Sequence, residues 1–349
     1  MSRFDRFFTV GGLAVILGLG LVERGFSATV HVYLVGGQSN ADSHAANSGL
    51  PAQYQNPLNS VPLFYGRSAT TTAYTTLRPG SSNYLTTSTD PALSPYFGLD
   101  IGFGWAMNDW LSTDGSGDKV AIIKFALGGT SLSEHWKAGG TATTANDGSV
   151  YKSFQSVVAL GLSALHNDPS LAGYTISISG MLWTQGEADI TSADASLYGS
   201  RLVNFIDDVR LTYGADLPFY LSQISLNQTA YGGANATYWD QVRAGQQFAA
   251  NSLDDTYLIK TDAASFSVGG DGIHFTSAGE LALGQAFAQK VIATSAVPEP
   301  SVGLLLIGGG LVLSFGAIRR KLGGGLLPPE WGRVIALLGT ADAKSGGEL

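Results

Sequence analysis

The sequence predicts an α/β protein, a three-layer α/β/α domain built on a mainly parallel sheet of about five strands. Three observations predict it. Residues 120–126 (V-A-I-I-K-F-A) form a near-continuous apolar run, as in a strand buried on both faces. Further short apolar runs alternate with segments of helical period from residue 29 to about residue 293. Glycines and polar residues able to do chemistry stand directly after several of these runs, where open parallel sheets gather their ligands.

The first strand covers 29–35 and runs into Gly36-Gly37-Gln38-Ser39-Asn40. Residues 42–96 are rich in Ser, Thr, Asn, Pro and Gly and predict an extended loop region. Its aromatic residues Tyr54, Phe64, Tyr65, Tyr74, Tyr84 and Tyr96 are expected either to face substrate or to anchor the loop. A helix over 103–111 precedes the strand over 120–126, which ends in Leu127-Gly128-Gly129-Thr130-Ser131-Leu132. A helix over 154–165 leads to a third strand over 174–183, which ends in Thr184-Gln185-Gly186-Glu187-Ala188-Asp189. A long amphipathic helix spans 194–213, with Leu197, Arg201, Leu202, Phe205, Ile206 and Val209 on its buried stripe. A fourth strand over 218–224, a helix over 238–250, a fifth strand over 256–261 and a last helix over 277–293 complete the pattern. Ser277 and Glu280 have capping-box spacing at the start of that last helix.

Composition narrows the function. The 349 residues carry a formal net charge of -8, and no basic patch marks a nucleic-acid partner. There is no cysteine, which removes disulfides, thiolate catalysis and cysteine-held metal sites. The histidines His31, His44, His135, His166 and His274 form no close pair of the H-x-x-x-H kind, so no local metal motif is expected.

Both ends read as addresses rather than as fold. Arg3 and Arg6 precede an apolar run over 7–22 and small residues at Gly25, Ser27 and Ala28, the pattern of a secretory signal peptide over 1–28. Near the other end, Val297-Pro298-Glu299-Pro300-Ser301 is followed by an apolar run over 302–318 and by Arg319-Arg320-Lys321. This stretch, 297–321, resembles the PEP-CTERM sorting signal, and the resemblance implies a membrane segment and an exosortase-type processing protease as partner. Residues 322–349 are rich in Gly, Pro and Ala and are expected to be disordered. The expected location is therefore the periplasm, outer surface or exterior, with a possible membrane tether through the C-terminal segment.

The strand ends carry the chemistry. A serine on a sharp turn after a strand is exposed for attack, but it is a poor nucleophile until a base takes its proton. Asp271-Gly272-Ile273-His274, between the fifth strand and the last helix, offers that base: a carboxylate three residues before a histidine can hold one ring nitrogen while the other faces Ser39. Candidate oxyanion donors are the N–H of Ser39, the N–H of Gly129 with Gly128 as neighbour, and the side-chain amide of Gln185. Glu187 is expected to brace its loop or to serve as an acid partner, Asn40 to cap a helix or hold the loop, and Gln38 to shape the turn.

Four blocks in order resemble the SGNH hydrolase superfamily, and within it the sialate O-acetylesterase and acetyl xylan esterase branch, carbohydrate esterase family 6. They are Gly37-Gln38-Ser39-Asn40, Gly128-Gly129-Thr130-Ser131, Trp183-Thr184-Gln185-Gly186-Glu187-Ala188-Asp189 and Asp271-Gly272-Ile273-His274. The resemblance implies a flavodoxin-like hydrolase domain over 29–296, with Ser39 as nucleophile, His274 as base and Asp271 as acid. It also implies Ser39, Gly129 and Gln185 as oxyanion donors, an O-acetylated carbohydrate as substrate, and no cofactor or metal. Two positions depart from the family pattern: Ala41 stands where Met is common, and Phe97-Gly98-Leu99-Asp100 stands for Phe-Gly-Pro-Glu. These are expected to alter the pocket lining. A non-catalytic polysaccharide-binding surface protein and a sugar O-acetyltransferase are the alternatives on the same fold.

Overall fold

Alternation along β1 (Thr29–Gly37) organises the structure. Val30, Val32 and Leu34 turn to one face of the sheet, Tyr33 and Val35 to the other, and all five are buried. A strand buried on both faces needs a layer of helices on each side. The computed structural model describes residues 27–68, 71–81, 94–141, 144–230 and 235–295, together with two short strands nearer the C-terminus. The chain divides into two units after Val297.

In the first unit, β1 is followed by the short helix α1 (Ser39–Asp42), β2 (Ala45–Ala46), β3 (Leu58–Ser68), β4 (Thr71–Leu77) and β5 (Tyr96–Phe97). Then come α2 (Leu99–Thr113), β6 (Lys119–Lys124), α3 (Ser149–His166), β7 (Thr175–Thr184), α4 (Tyr198–Tyr213), β8 (Phe219–Ser222), α5 (Ala236–Ser252), β9 (Thr256–Ile259) and α6 (Ser277–Ser295). The sheet runs β4-β3-β6-β1-β7-β8-β9. Every pairing in it is parallel except the edge pair β3–β4. In the second unit, β10 (Leu306–Ile307) and β11 (Gly310–Leu311) pair antiparallel. The signal-peptide, sorting-signal and tail expectations lie almost wholly outside the described residues. Among those residues, no helix is long and apolar enough to cross a membrane.

The sheet has seven strands where the sequence predicts five. The two extra strands, β3 and β4, form a hairpin inside the stretch read as loop. Val61, Leu63, Phe64 and Tyr65 of β3 are buried, and β3 pairs with β6 through Leu63, Phe64 and Tyr65. Its edge partner β4 is made of Thr, Ala, Tyr and Leu. Threonine and tyrosine suit a strand as well as valine does, but a half-polar edge strand leaves no apolar alternation to read.

Helices α3, α4 and α5 cover one face and α2 and α6 the other. On the first face, Trp136 packs edge-on against Trp183, with ring centroids 4.9 Å apart. Phe125, Phe154 and Phe205 close around the same indole. Burying one such aromatic side chain contributes roughly 1.5–3 kcal/mol, with about 0.5–1.5 kcal/mol more from each well-set ring pair.

The second face hides charge. Lys124, the last residue of β6, is fully buried and pairs with Asp100 at 2.7 Å. Asp100 sits in the first turn of α2, where the helix dipole favours an anion. Of the departing residues, Asp100 thus lies in an ion pair and Leu99 in the apolar core, and neither lines the cavity at Ser39. Glu280 of α6 is buried beside this pair; burial, opposed by Lys124 and reinforced by Asp100, pushes its carboxyl up to about 8. Its expected capping role falls to Thr276, whose Oγ1 accepts from the N–H of Gly279 at 3.2 Å. Ser277 Oγ donates instead to the carbonyl of Ala46.

Because Glu280 holds its proton in the folded state up to about pH 8, against an ordinary value of 4.5, the unfolded chain carries fewer protons in that window. Stability from this group is therefore full at low pH and is lost as pH rises toward 8. Urea unfolding is expected to show wild-type protein losing more stability between about pH 5 and about pH 8 than E280Q does. Equal losses in the two proteins would contradict the assignment.

Candidate active site

The carboxyl ends of β1, β6 and β7 lie side by side, so the loops that follow them share one rim. Gly37 ends β1 at φ +136°, and a Cβ there would come within 2.1 Å of the Thr184 carbonyl oxygen. Only glycine permits so close a crossing over β7. The next N–H, that of Gln38, donates to the same carbonyl at 3.0 Å. The chain then turns straight into α1, which begins at Ser39. The first N–H groups of a helix have no acceptor within it, so the Ser39 N–H is left for another partner. Ser39 lines a cavity of about 310 Å³ together with Gln38, His44, Gly128, Gly129 and His274.

Gly128 and Gly129 form the opposite lip. Gly129 has φ +72°, the left-handed region that glycine enters without cost. The rest of their loop is locked. Thr130 Oγ1 donates to the Leu127 carbonyl at 2.6 Å and accepts from Trp136 Nε1 at 2.9 Å. The N–H groups of Leu132 and Ser133 donate to the two carboxylate oxygens of Asp189 at 2.8 and 3.1 Å. Asp189 is fully buried; burial pushes its carboxyl up, while these donors and Gln185 pull the other way.

Gln185, expected as an oxyanion donor, lies beneath the rim and does not line the cavity. Its side chain is fully buried, and the two N–H bonds of Nε2 are enclosed by three acceptors: Asp189 Oδ2 at 2.6 Å, the Thr130 carbonyl at 3.1 Å and Gln38 Oε1 at 3.2 Å. Its Oε1 accepts from Tyr198 at 2.9 Å. An amide committed to this many internal partners joins loops and does not aim at a reacting oxygen. Gln38 is more than a turn residue: besides Gln185, its Oε1 accepts from the N–H of Ala188 at 3.1 Å.

The Asp271–His274 turn stands across the cavity. Asp271 Oδ1 accepts from the N–H groups of Ile273 and His274 at 2.9 and 3.0 Å. Asp271 Oδ2 lies 2.7 Å from His274 Nδ1. Burial alone would raise the Asp271 carboxyl, but these backbone bonds and the imidazole outweigh it and hold it down at about 2. A carboxylate on Nδ1 fixes the tautomer with the proton on that nitrogen and leaves Nε2 as acceptor.

Asn40 and Glu187 set this turn in place. Asn40 Oδ1 accepts from the N–H of Phe275, and Asn40 Nδ2 donates to Glu187 Oε1 at 2.8 Å. Gln228 Nε2 links Glu187 Oε1, at 2.9 Å, to the Ile273 carbonyl, at 2.7 Å. Asn40 and Glu187 thus tie the loop after β7 to the turn that carries His274.

Ser39, Gly128, Gly129, Asp271 and His274 are thus brought together, with Gln38, Asn40, Gln185 and Glu187 beneath and beside them. Among the described residues no hydrogen bond joins Ser39 Oγ to His274; such contacts commonly tighten only around substrate. Of the aromatic residues expected either to face substrate or to anchor the loop, Phe64 and Tyr65 lie in the core, Tyr54 is edge-on to Trp105, Tyr74 is on Asp168 and Tyr96 is in β5. Tyr84 lies outside the described residues. Two residues have no counterpart in the sequence reading. Gln228 carries no local motif, and His44 follows α1 with no repeat or spacing to single it out.

The fold and this rim define the class of three-layer α/β/α esterases. Residues 29–293 match the family described as carbohydrate esterase, sialic acid-specific acetylesterase. The chain belongs to that family and is a carbohydrate acetylesterase. Solved structures share the fold. A protein from Arabidopsis thaliana matches at 17% identity and TM-score 0.53, over 76% of this chain and 98% of that one. A carbohydrate acetylesterase from Xanthomonas citri matches at 17% identity and TM-score 0.52, over 78% of this chain and 57% of that one. NanS matches at 13% identity and TM-score 0.52, over 77% of this chain and 98% of that one. No curated protein sequence matches the chain.

Asp189 offers a direct check on the rim. D189N turns an amide N–H toward donors that now meet a carboxylate, and it is expected to lower stability by about 2–4 kcal/mol in urea unfolding. The glycine lip should loosen with it, so ester hydrolysis should fall through kcat more than through KM. Wild-type stability and kcat in D189N would refute its role as anchor.

Proposed function

We propose that the protein is an exported serine esterase that removes O-acetyl groups from carbohydrate. Ser39 Oγ attacks the acetyl carbonyl carbon as His274 Nε2 takes the hydroxyl proton. The N–H groups of Ser39 and Gly129 hold the oxyanion of the tetrahedral intermediate. The carbon–oxygen bond to the sugar then breaks, and His274 gives its proton to the departing sugar oxygen, which leaves as a hydroxyl. Water, deprotonated by the same histidine, attacks the acetyl-Ser39 ester and releases acetate. Asp271 keeps the ring oriented and offsets its charge while it carries the extra proton.

The observation that carries this reading is the His274–Asp271 pair at 2.7 Å on the cavity that Ser39 lines. A carboxylate held at about 2 stays ionised throughout the range in which imidazole works as a base. Membership of a carbohydrate esterase family supports the substrate class. Export is supported by the charged, apolar and small-residue order of residues 1–28. We further infer that residues 297–321 sort and tether the protein at the membrane until an exosortase-type protease acts on them.

The test is acetate release from acetylated xylan, O-acetylated sialic acid and acetylated bacterial exopolysaccharide, assayed in the cell fractions of a Gram-negative host making the full chain. S39A and H274A are expected to lower turnover by about a thousandfold or more, and D271N by about a hundredfold or more. Activity should appear outside the cytoplasm. Turnover by S39A at the wild-type rate would refute the nucleophile, and activity confined to the cytoplasm would refute export.

A further inference from the structure

A second imidazole lies on the first. The rings of His44 and His274 are stacked, with centroids 4.3 Å apart and planes 7° from parallel. Both rings line the cavity that contains Ser39. A Cβ placed on Gly128 would lie 3.4 Å from Ser39 Cβ and 3.9 Å from His44 Nε2, so His44 reaches the same small space as the serine.

The backbone around His44 is held firmly for a segment that has just left a four-residue helix. Ser43, the residue before it, has φ +89°, an uncommon conformation for a residue with a side chain. Its hydroxyl accepts from the buried Lys124 Nζ at 2.6 Å, and Lys124 is paired with Asp100 at 2.7 Å. On the other side, Ala45 and Ala46 pair with Phe97 and Tyr96 of β5. The Ala46 carbonyl also accepts from Ser277, at the start of the helix that follows His274. Strain at a residue clamped from both sides marks a conformation that the surroundings impose. Here that conformation delivers one ring onto another.

We propose that His44 is a positioning residue for deacetylation: its ring is the platform that holds the His274 ring and stabilises the imidazolium formed when Ser39 gives up its proton. This rests on Ser39 and His274 acting as nucleophile and base. A platform must not become charged itself. Burial, the neighbouring His274 and Lys124 push the His44 imidazole down to about 4, against the pull of Asp271. Those three groups, on β6 and on the turn before α6, are charged or titratable neighbours that act on it. The His44 ring is therefore uncharged near neutral pH, and an uncharged π face attracts a cation.

Kinetics of aryl acetate hydrolysis by the whole protein test this, comparing wild type, H44A, H44F, H44Q and S39A. H44A is expected to lower kcat about tenfold and leave KM within about twofold. H44F restores an aromatic face and should regain most of the lost rate. H44Q fills the space without such a face, so it should stay at the H44A rate; it carries the comparison if H44A fails to fold. Wild-type kcat in H44A or H44Q would overturn the proposal, and so would an H44F rate as low as theirs. S39A separates the two layers of the account. A dead S39A beside an unaffected H44A removes only the platform, whereas a fully active S39A removes the nucleophile itself.

Discussion

The rim depends on one buried carboxylate. Asp189 takes two backbone N–H groups from the loop after β6 and the Gln185 amide from the loop after β7. Gln185 in turn joins Gln38 in the loop after β1. A buried carboxylate is costly unless its oxygens are filled, and filling them here requires three strand-end loops to be in register at once. The same bonds that satisfy the charge therefore fix the spacing between Ser39 and the glycine lip. Parallel pairing of β1 with β6 and β7 brings the loops near one another; the polar net beneath them sets where each one stops.

A second polar layer governs the far side of the cavity. Asn40, one residue after Ser39, reaches the Phe275 N–H and Glu187, and Gln228 ties Glu187 to the Ile273 carbonyl. Ser39 and His274 are separated by most of the chain, yet each is at most one residue from an atom in this network. Beneath lies the Lys124–Asp100 pair with Glu280, which supports Ser43 and through it His44. Charge in the interior is weak evidence for stability, since a well-packed apolar substitute often does as well. Its effect here is geometric, because it holds a residue in a conformation that the chain would not choose alone.

Much of this was legible in the sequence, for identifiable reasons. Doubly buried strands such as β1 and β6 read as apolar runs, and the residues at their carboxyl ends could be placed on a common rim from topology alone. Asp271 and His274 were legible because three residues of a tight turn bring them together whatever the rest does. The β3–β4 hairpin was not, because an edge strand of Thr and Tyr has no core-facing alternation strong enough to read. The direction of the Gln185 side chain was not legible, because it depends on partners such as Tyr198 and Asp189 that only the fold supplies. His44 was invisible for the same reason: a lone histidine shows its neighbour only once the chain has turned.

The central claim is that Ser39 carries the acetyl group between sugar and water. The most direct measurement is peptide mapping by mass spectrometry of wild-type protein quenched in acid during turnover of an aryl acetate. An acetyl group on the peptide containing Ser39, formed and lost at the rate of acetate release, is the predicted result. Acetate release at that rate with Ser39 never acetylated, or with the acetyl group on another residue, would contradict it.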